Sequence, residues 1–222
     1  MVKNPLMQLD RNLKRMVMVF YSKTSSGMLF KKTHVGIPGI VSMIFGVGLI
    51  FTAMGLNGSY NLVFQHVSEL GIGPGISGLI FDLGLITSGF IAIPFFIGLG
   101  KILDRDGANH RIKKRVVTLS IISCLSLTCT GFFPMYRSIV IIHAIFAFSF
   151  FISGLLFCIH FSLLMTKDKR FSKFQANFGY IVAVFFGLFL ATPGSGLTEW
   201  LVFFSIVSWM VITSIYIYYK KL

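Results

Sequence analysis

Asp82 and His143 stand out because each places a titratable group inside a long apolar run. Ionisable side chains within a membrane are costly, and by default they mark functional sites. Asp82 lies several residues into its run and His143 near the start of its own. At about 1.5 Å per helical residue, both fall roughly 6–9 Å below the same boundary. Asp82 shares a helix face with Gly78 and Gly89, which predicts that it points into a bundle. The preceding connection adds His66, Ser68 and Glu69, directly before Gly71-Ile72-Gly73-Pro74-Gly75. Such a run can hold a tight turn and place proline in the first turn of the next helix. Arg137, Glu199 and Trp200 fall at the same side. One polar cluster can therefore draw on His66, Ser68, Glu69, Asp82, Arg137, His143 and Glu199.

Three roles suit these residues. The first is a structural network built on an Asp82–His143 pair. The second, and the leading one, is a site for a polar lipid head group or small ligand. The third is a membrane-embedded lipid hydrolase or acyltransferase, with Asp82 and His143 as catalytic candidates. A metal-assisted version needs His66, Glu69, Asp82 and His143 in one coordination shell, yet no established zinc motif is present. Ser68 lacks the surroundings of a nucleophile elbow. No phosphate-binding glycine loop, haem motif or paired-cysteine site occurs, so neither metal nor cofactor is expected. A transporter would normally need polar groups near the midplane, and these are scarce. A membrane scaffold is the remaining alternative.

The elements that must position these groups are membrane spans. The chain is 55% hydrophobic and only 12% charged, where soluble domains carry about a quarter charged residues. A helix needs about 20 apolar residues to cross the hydrocarbon. Six segments qualify: 36–56, 76–99, 116–133, 139–165, 175–193 and 198–219. The fold class is thus all-α, a bundle of six transmembrane helices over 36–219. Residues 1–35 form a basic cytoplasmic segment and 220–222 a short tail. Pro94 is expected to kink the second span, while Pro193 and Gly194 cut the fifth short.

Orientation follows from basic residues. Segments 1–35, 100–115, 166–174 and 220–222 hold 19 of the 20 Lys and Arg, and only Arg137 lies in an intervening connection. Basic connections stay in the cytoplasm, which puts both termini there and the polar cluster at the outer leaflet. The net charge of +13 then points to anionic inner-leaflet lipids as partners and not to nucleic acid. The expected location is the cell membrane. In the amino-terminal segment Leu6, Leu9, Leu13, Val17 and Phe20 recur at helical spacing, as in a helix lying along the inner surface.

Small residues predict the helix contacts. Ser42 and Gly46 are paired on the first span, and Gly84, Ser88 and Ala92 on the second; Ser123, Ser126 and Thr130 form a hydroxyl stripe on the third. Cys124, Cys129 and Cys158 lie inside apolar runs and are read as packing residues. His160 follows His143 by 17 residues, about 25 Å along the helix, and belongs near the inner side.

His66-Val67-Ser68-Glu69-Leu70-Gly71-Ile72-Gly73-Pro74, followed by Ile80-Phe81-Asp82-Leu83-Gly84, resembles the signature of the prokaryotic domain-of-unknown-function 998 membrane proteins. Gly131-Phe132-Phe133-Pro134, then His143-Ala144 and Phe146, resembles that family's second block. The resemblance covers about residues 36–219 and implies six helices without a settled activity. One departure stands at Asp82, where many members are expected to carry asparagine. The chain is more distantly similar to a eukaryotic six-helix group that includes damage-regulated autophagy modulators and GPI-lipid-remodelling proteins, which implies a lipid-related role.

Overall fold

The computed structural model describes residues 34–103 and 110–222. Six long helices carry the architecture: α1 Gly36–Leu56, α2 Ser77–Ile102, α3 His110–Phe132, α4 Val140–Lys167, α5 Lys173–Ala191 and α6 Gly196–Lys220. A short 3₁₀ helix, Val67–Ile72, sits between α1 and α2. No strand occurs among the described residues. All six long helices are apolar and long enough to span a membrane, where only internal hydrogen bonding satisfies the backbone. The amphipathic reading of the amino-terminal segment lies outside the described residues.

Most helices run beyond the spans read from hydropathy. α3 begins at His110, not at 116, and α4 has 28 residues, about 42 Å of helix against roughly 30 Å of hydrocarbon. Apolar composition marks the slab, whereas helical hydrogen bonding continues through the flanking Arg111, Lys113, Lys114 and Arg115. Pro94 lies inside the continuous α2, and α5 ends at Ala191, just before Pro193.

Each helix packs against the next in the chain, and α6 returns to α1, so the six close a ring. Small residues allow the close approaches. The Ser42 hydroxyl of α1 donates to the Ser88 carbonyl of α2 at 2.8 Å, beside Gly46, where a methyl would stand 2.9 Å from Ser88 Cβ. Gly89 lies against α3, with its missing Cβ position 2.7 Å from the Cys124 carbonyl oxygen. In the hydroxyl stripe, Ser123 donates to the Phe150 carbonyl and Ser126 to Ser149 Oγ on α4. Hydrogen bonds and van der Waals packing replace the hydrophobic drive that lipid removes.

The two ends of the ring differ. At one end the 57–76 connection meets α6 and the 133–139 connection, through His66–Glu199 and Ser68–Met135 contacts. This is the capped end. At the other, the Arg170 guanidinium donates to the Ile102 carbonyl at 2.7 Å and to Asp168, while the Tyr216 hydroxyl donates to the Arg170 carbonyl. Burial works against ionisation of Asp168, but Arg170's hydrogen bonds and charge outweigh it and hold the carboxyl below its ordinary range. The ring's centre towards this second end is filled by Phe95, Phe96, Phe157, Phe161 and Trp209, all buried. Phe96 stacks on both Phe161 and Trp209 at centroid separations of 6.0 and 6.5 Å. Towards the capped end the centre is not filled.

Candidate functional site

The cap is built from the local sequence outward. His66 is the residue before the 3₁₀ helix, and its N–H donates to Glu69 Oε1 at 3.1 Å. Glu69 Oε2 in turn accepts from the Gln65 side-chain amide. A short helix leaves most of its first N–H groups without intrahelical partners. A distant residue supplies one acceptor, since Glu199 Oε2 accepts from the Val67 N–H at 3.0 Å. The same oxygen lies 3.0 Å from His66 Nδ1. Glu199 is in the first turn of α6, so one carboxylate ties the cap to the last helix of the ring.

Both partners are largely enclosed, with side chains 21% and 12% exposed for His66 and Glu199. The Glu199 hydrogen bond raises the His66 pKa, burial opposes it, and the charges of Glu199 and Glu69 and the Gly194 carbonyl add to the rise. Tyr60 completes the connection: its hydroxyl donates to the His66 carbonyl at 2.9 Å and accepts from the Trp200 indole at 3.0 Å. Burial pushes the Tyr60 phenol up to about 12, the Trp200 hydrogen bond opposes this, and Glu199 and Glu69 reinforce it. Tyr60 and Gln65 were not singled out in the sequence. A tyrosine six residues before His66 carries no motif signal of its own.

Asp82 and His143 do not form the expected pair. His143 Nδ1 lies 2.8 Å from the Phe133 carbonyl oxygen. Phe133 follows the last residue of α3 and precedes Pro134, which stops the helix, and carbonyls at a helix end need outside donors. Phe133 also stacks on Phe146 at 5.6 Å, so the Gly-Phe-Phe-Pro and His-Ala-x-Phe blocks staple the α3–α4 hairpin. Asp82 instead lies under the cap, where a methyl added at Gly71 would stand 2.8 Å from its Oδ1. That oxygen is buried and has no hydrogen-bond partner. Helical spacing placed Asp82 in the second helix and His143 early in the fourth, but not the direction each side chain takes around the bundle.

The remaining predicted residues divide. His66, Glu69 and Glu199 come together, and Ser68 joins them across the mouth, its hydroxyl 3.7 Å from Met135 Sδ. Arg137 is exposed and takes no part in the cluster. Among the described residues no group of three or more His, Cys, Asp or Glu side chains is placed to hold a metal ion. The shell proposed for His66, Glu69, Asp82 and His143 is therefore not assembled.

Beneath the cap lies a cavity of about 130 Å³. Five of the six long helices and the 3₁₀ helix line it, chiefly with apolar side chains such as Ile50, Leu85, Ala147, Phe151 and Val202. Ser68, His143 and Glu199 stand at its capped end, and Phe96, Phe157 and Met210 close the other. Asp82 is not among the lining residues.

The family model described as "Protein of unknown function (DUF998)" matches residues 37–216. The chain belongs to this family. The match spans all of α2 to α5 and nearly all of α1 and α6, so it covers the whole ring. No curated protein and no solved structure matches. In this DUF998 protein the first signature block forms the cap with its Glu199 tie, and the second forms the α3–α4 staple.

Proposed function

We propose that this multi-pass membrane protein binds one amphiphilic molecule, with the apolar part in the ring cavity and the polar head beneath the cap. One observation carries this reading: an apolar space lined by five helices ends at Ser68, His143 and Glu199. Its volume is close to the ~150 Å³ of an apolar cavity that stays dry and accepts a benzene-sized guest. It suits a stretch of alkyl chain, with the rest of the ligand reaching towards the mouth. Well-packed interiors rarely leave such voids, because a void forfeits dispersion contacts.

In this reading the capped end faces outward and the basic end lies at an anionic inner leaflet, most naturally that of the cell membrane. Support comes from the sequence, in which 19 of the 20 Lys and Arg fall in segments 1–35, 100–115, 166–174 and 220–222. Labelling of introduced cysteines tests it. If the 57–75 and 100–115 connections react from the same side, the orientation is wrong.

Native mass spectrometry of protein released from its own membranes tests the ligand. One retained lipid-sized adduct per chain is expected, and Ala147→Phe, which fills the cavity, should lose it. Unliganded spectra for both proteins would overturn the proposal.

A further inference from the structure

The hydrogen-bonding inventory of the cavity is one-sided. A carbonyl oxygen can only accept, so a hydroxyl bonded to one has committed its proton. Ser42 donates to the Ser88 carbonyl at 2.8 Å, Ser88 to Leu85 at 3.2 Å, Ser123 to Phe150 at 3.3 Å and Thr130 to Ser126 at 2.8 Å. All four residues line the cavity, and what remains on each oxygen is lone pairs. The same logic applies to His143. Its Nδ1 carries the proton donated to Phe133, and the tautomer that this hydrogen bond selects has its accepting lone pair at Nε2. Glu199 Oε2 already accepts from His66 and Val67, and Oε1 has no donor among the described residues.

Donors are few. The Ser68 hydroxyl faces only a thioether at 3.7 Å, and the Cys124 thiol is a weak donor. Neither of the nearby basic groups serves the cavity. Arg137 is exposed, and Glu199 holds His66. A carboxylate or phosphate head would meet lone pairs and the Glu199 carboxylate, whose partner His66 is already engaged and leaves no cation for the head.

Resting on the amphiphile reading, we propose that the ligand's head is a neutral hydrogen-bond donor, a hydroxyl on an apolar body, and that acidic heads are rejected. Buried acceptors left unmatched penalise a ligand without a donor, and an anion adds repulsion at the same place. Specificity then comes from protons committed to backbone carbonyls around the ring.

The test uses the full chain in phosphatidylcholine nanodiscs and a decan-1-ol derivative carrying a photoreactive diazirine. Labelled peptides are mapped, and decan-1-ol, decanoate and decane compete at equal membrane concentrations. Labelling of α2, α3 and α6 residues around the cavity is expected, competed by decan-1-ol. Decanoate should compete about ten-fold less well or worse, as expected for an acceptor-lined site meeting an anion. Equal competition by decanoate would overturn the head-group inference while leaving the cavity reading intact. Labelling confined to the lipid-facing surface, unchanged in Ala147→Phe or the milder Ala147→Leu, would overturn the cavity reading itself. The competition is run on the unaltered chain, so neither result depends on a variant folding.

Discussion

Glu199 Oε2 receives both His66 Nδ1 and the Val67 N–H at 3.0 Å, although these residues are more than 130 positions away in the chain. A single oxygen therefore ties the first turn of α6 to the start of the 3₁₀ helix at the mouth of the ring. Hydrogen bonds to charged groups contribute about 1.5–3 kcal/mol, and losing one leaves the Val67 N–H without its acceptor. Glu199→Ala should lower stability by about 2 kcal/mol in detergent. A double-mutant cycle with His66→Ala should show coupling above about 0.5 kcal/mol. Additive losses would mean that packing alone holds the cap.

The same pair predicts a pH dependence. A group whose pKa rises on folding binds its proton more tightly in the folded state. The stabilisation from His66 is therefore complete below its ordinary 6.5 and is lost as pH rises through the folded value. The facing groups are Glu199, Glu69, Tyr60 and the Gly194 carbonyl. Tyr60, pushed up to about 12, protonates well above this window, and Asp168, held low, titrates well below it. The melting temperature should decline from about pH 6.5 upward, and His66→Gln should remove most of that slope. An unchanged slope in the variant would assign it to another group.

Glycines separate packing from propensity. A methyl at Gly78 would stand 2.7 Å from the Gly71 carbonyl oxygen, where α2 meets the cap. Backbone cannot yield as a side chain can, and overpacking typically costs about 1–3 kcal/mol. Gly48 and Gly187 also lie within helices but have nothing within 4 Å of the added carbon. Gly78→Ala should destabilise by that amount, whereas Gly48→Ala and Gly187→Ala should be neutral or stabilise by about 0.5–1 kcal/mol through helix propensity. Thermal melting of the three variants side by side checks the order.

These contrasts show how much was legible in the sequence. Hydropathy located all six helices, and small-residue rows such as Ser42–Gly46 against Ser88 located the α1–α2 contact. The polar cluster was legible as a set of depths. Its partition was not, because depth along a helix says nothing of which backbone group a side chain will meet. His143 turns to the Phe133 carbonyl because the helix stops at Pro134, so no backbone N–H one turn further on donates to it, a signal present in Gly-Phe-Phe-Pro. Nothing local to Glu199 indicated that it would serve the 3₁₀ helix, since that tie exists only once α6 has returned to α1. The cavity likewise follows from closure of the ring.

Asp82 and His143 make opposite predictions despite their similar depth. His143 donates to a carbonyl that has no other side-chain donor among the described residues, and the histidine is buried. His143→Ala should cost about 1–3 kcal/mol, from the lost hydrogen bond together with the space left by a buried side chain. Asp82 Oδ1 has no hydrogen bond to lose, and an amide has nearly the same shape as a carboxyl. Asp82→Asn should therefore leave stability within about 0.5 kcal/mol and leave decan-1-ol labelling unchanged. The asparagine expected at this position in many relatives would then fit the same space beneath Gly71. If Asp82→Asn instead unfolds the chain or abolishes labelling while His143→Ala does neither, the roles assigned to these two residues are reversed.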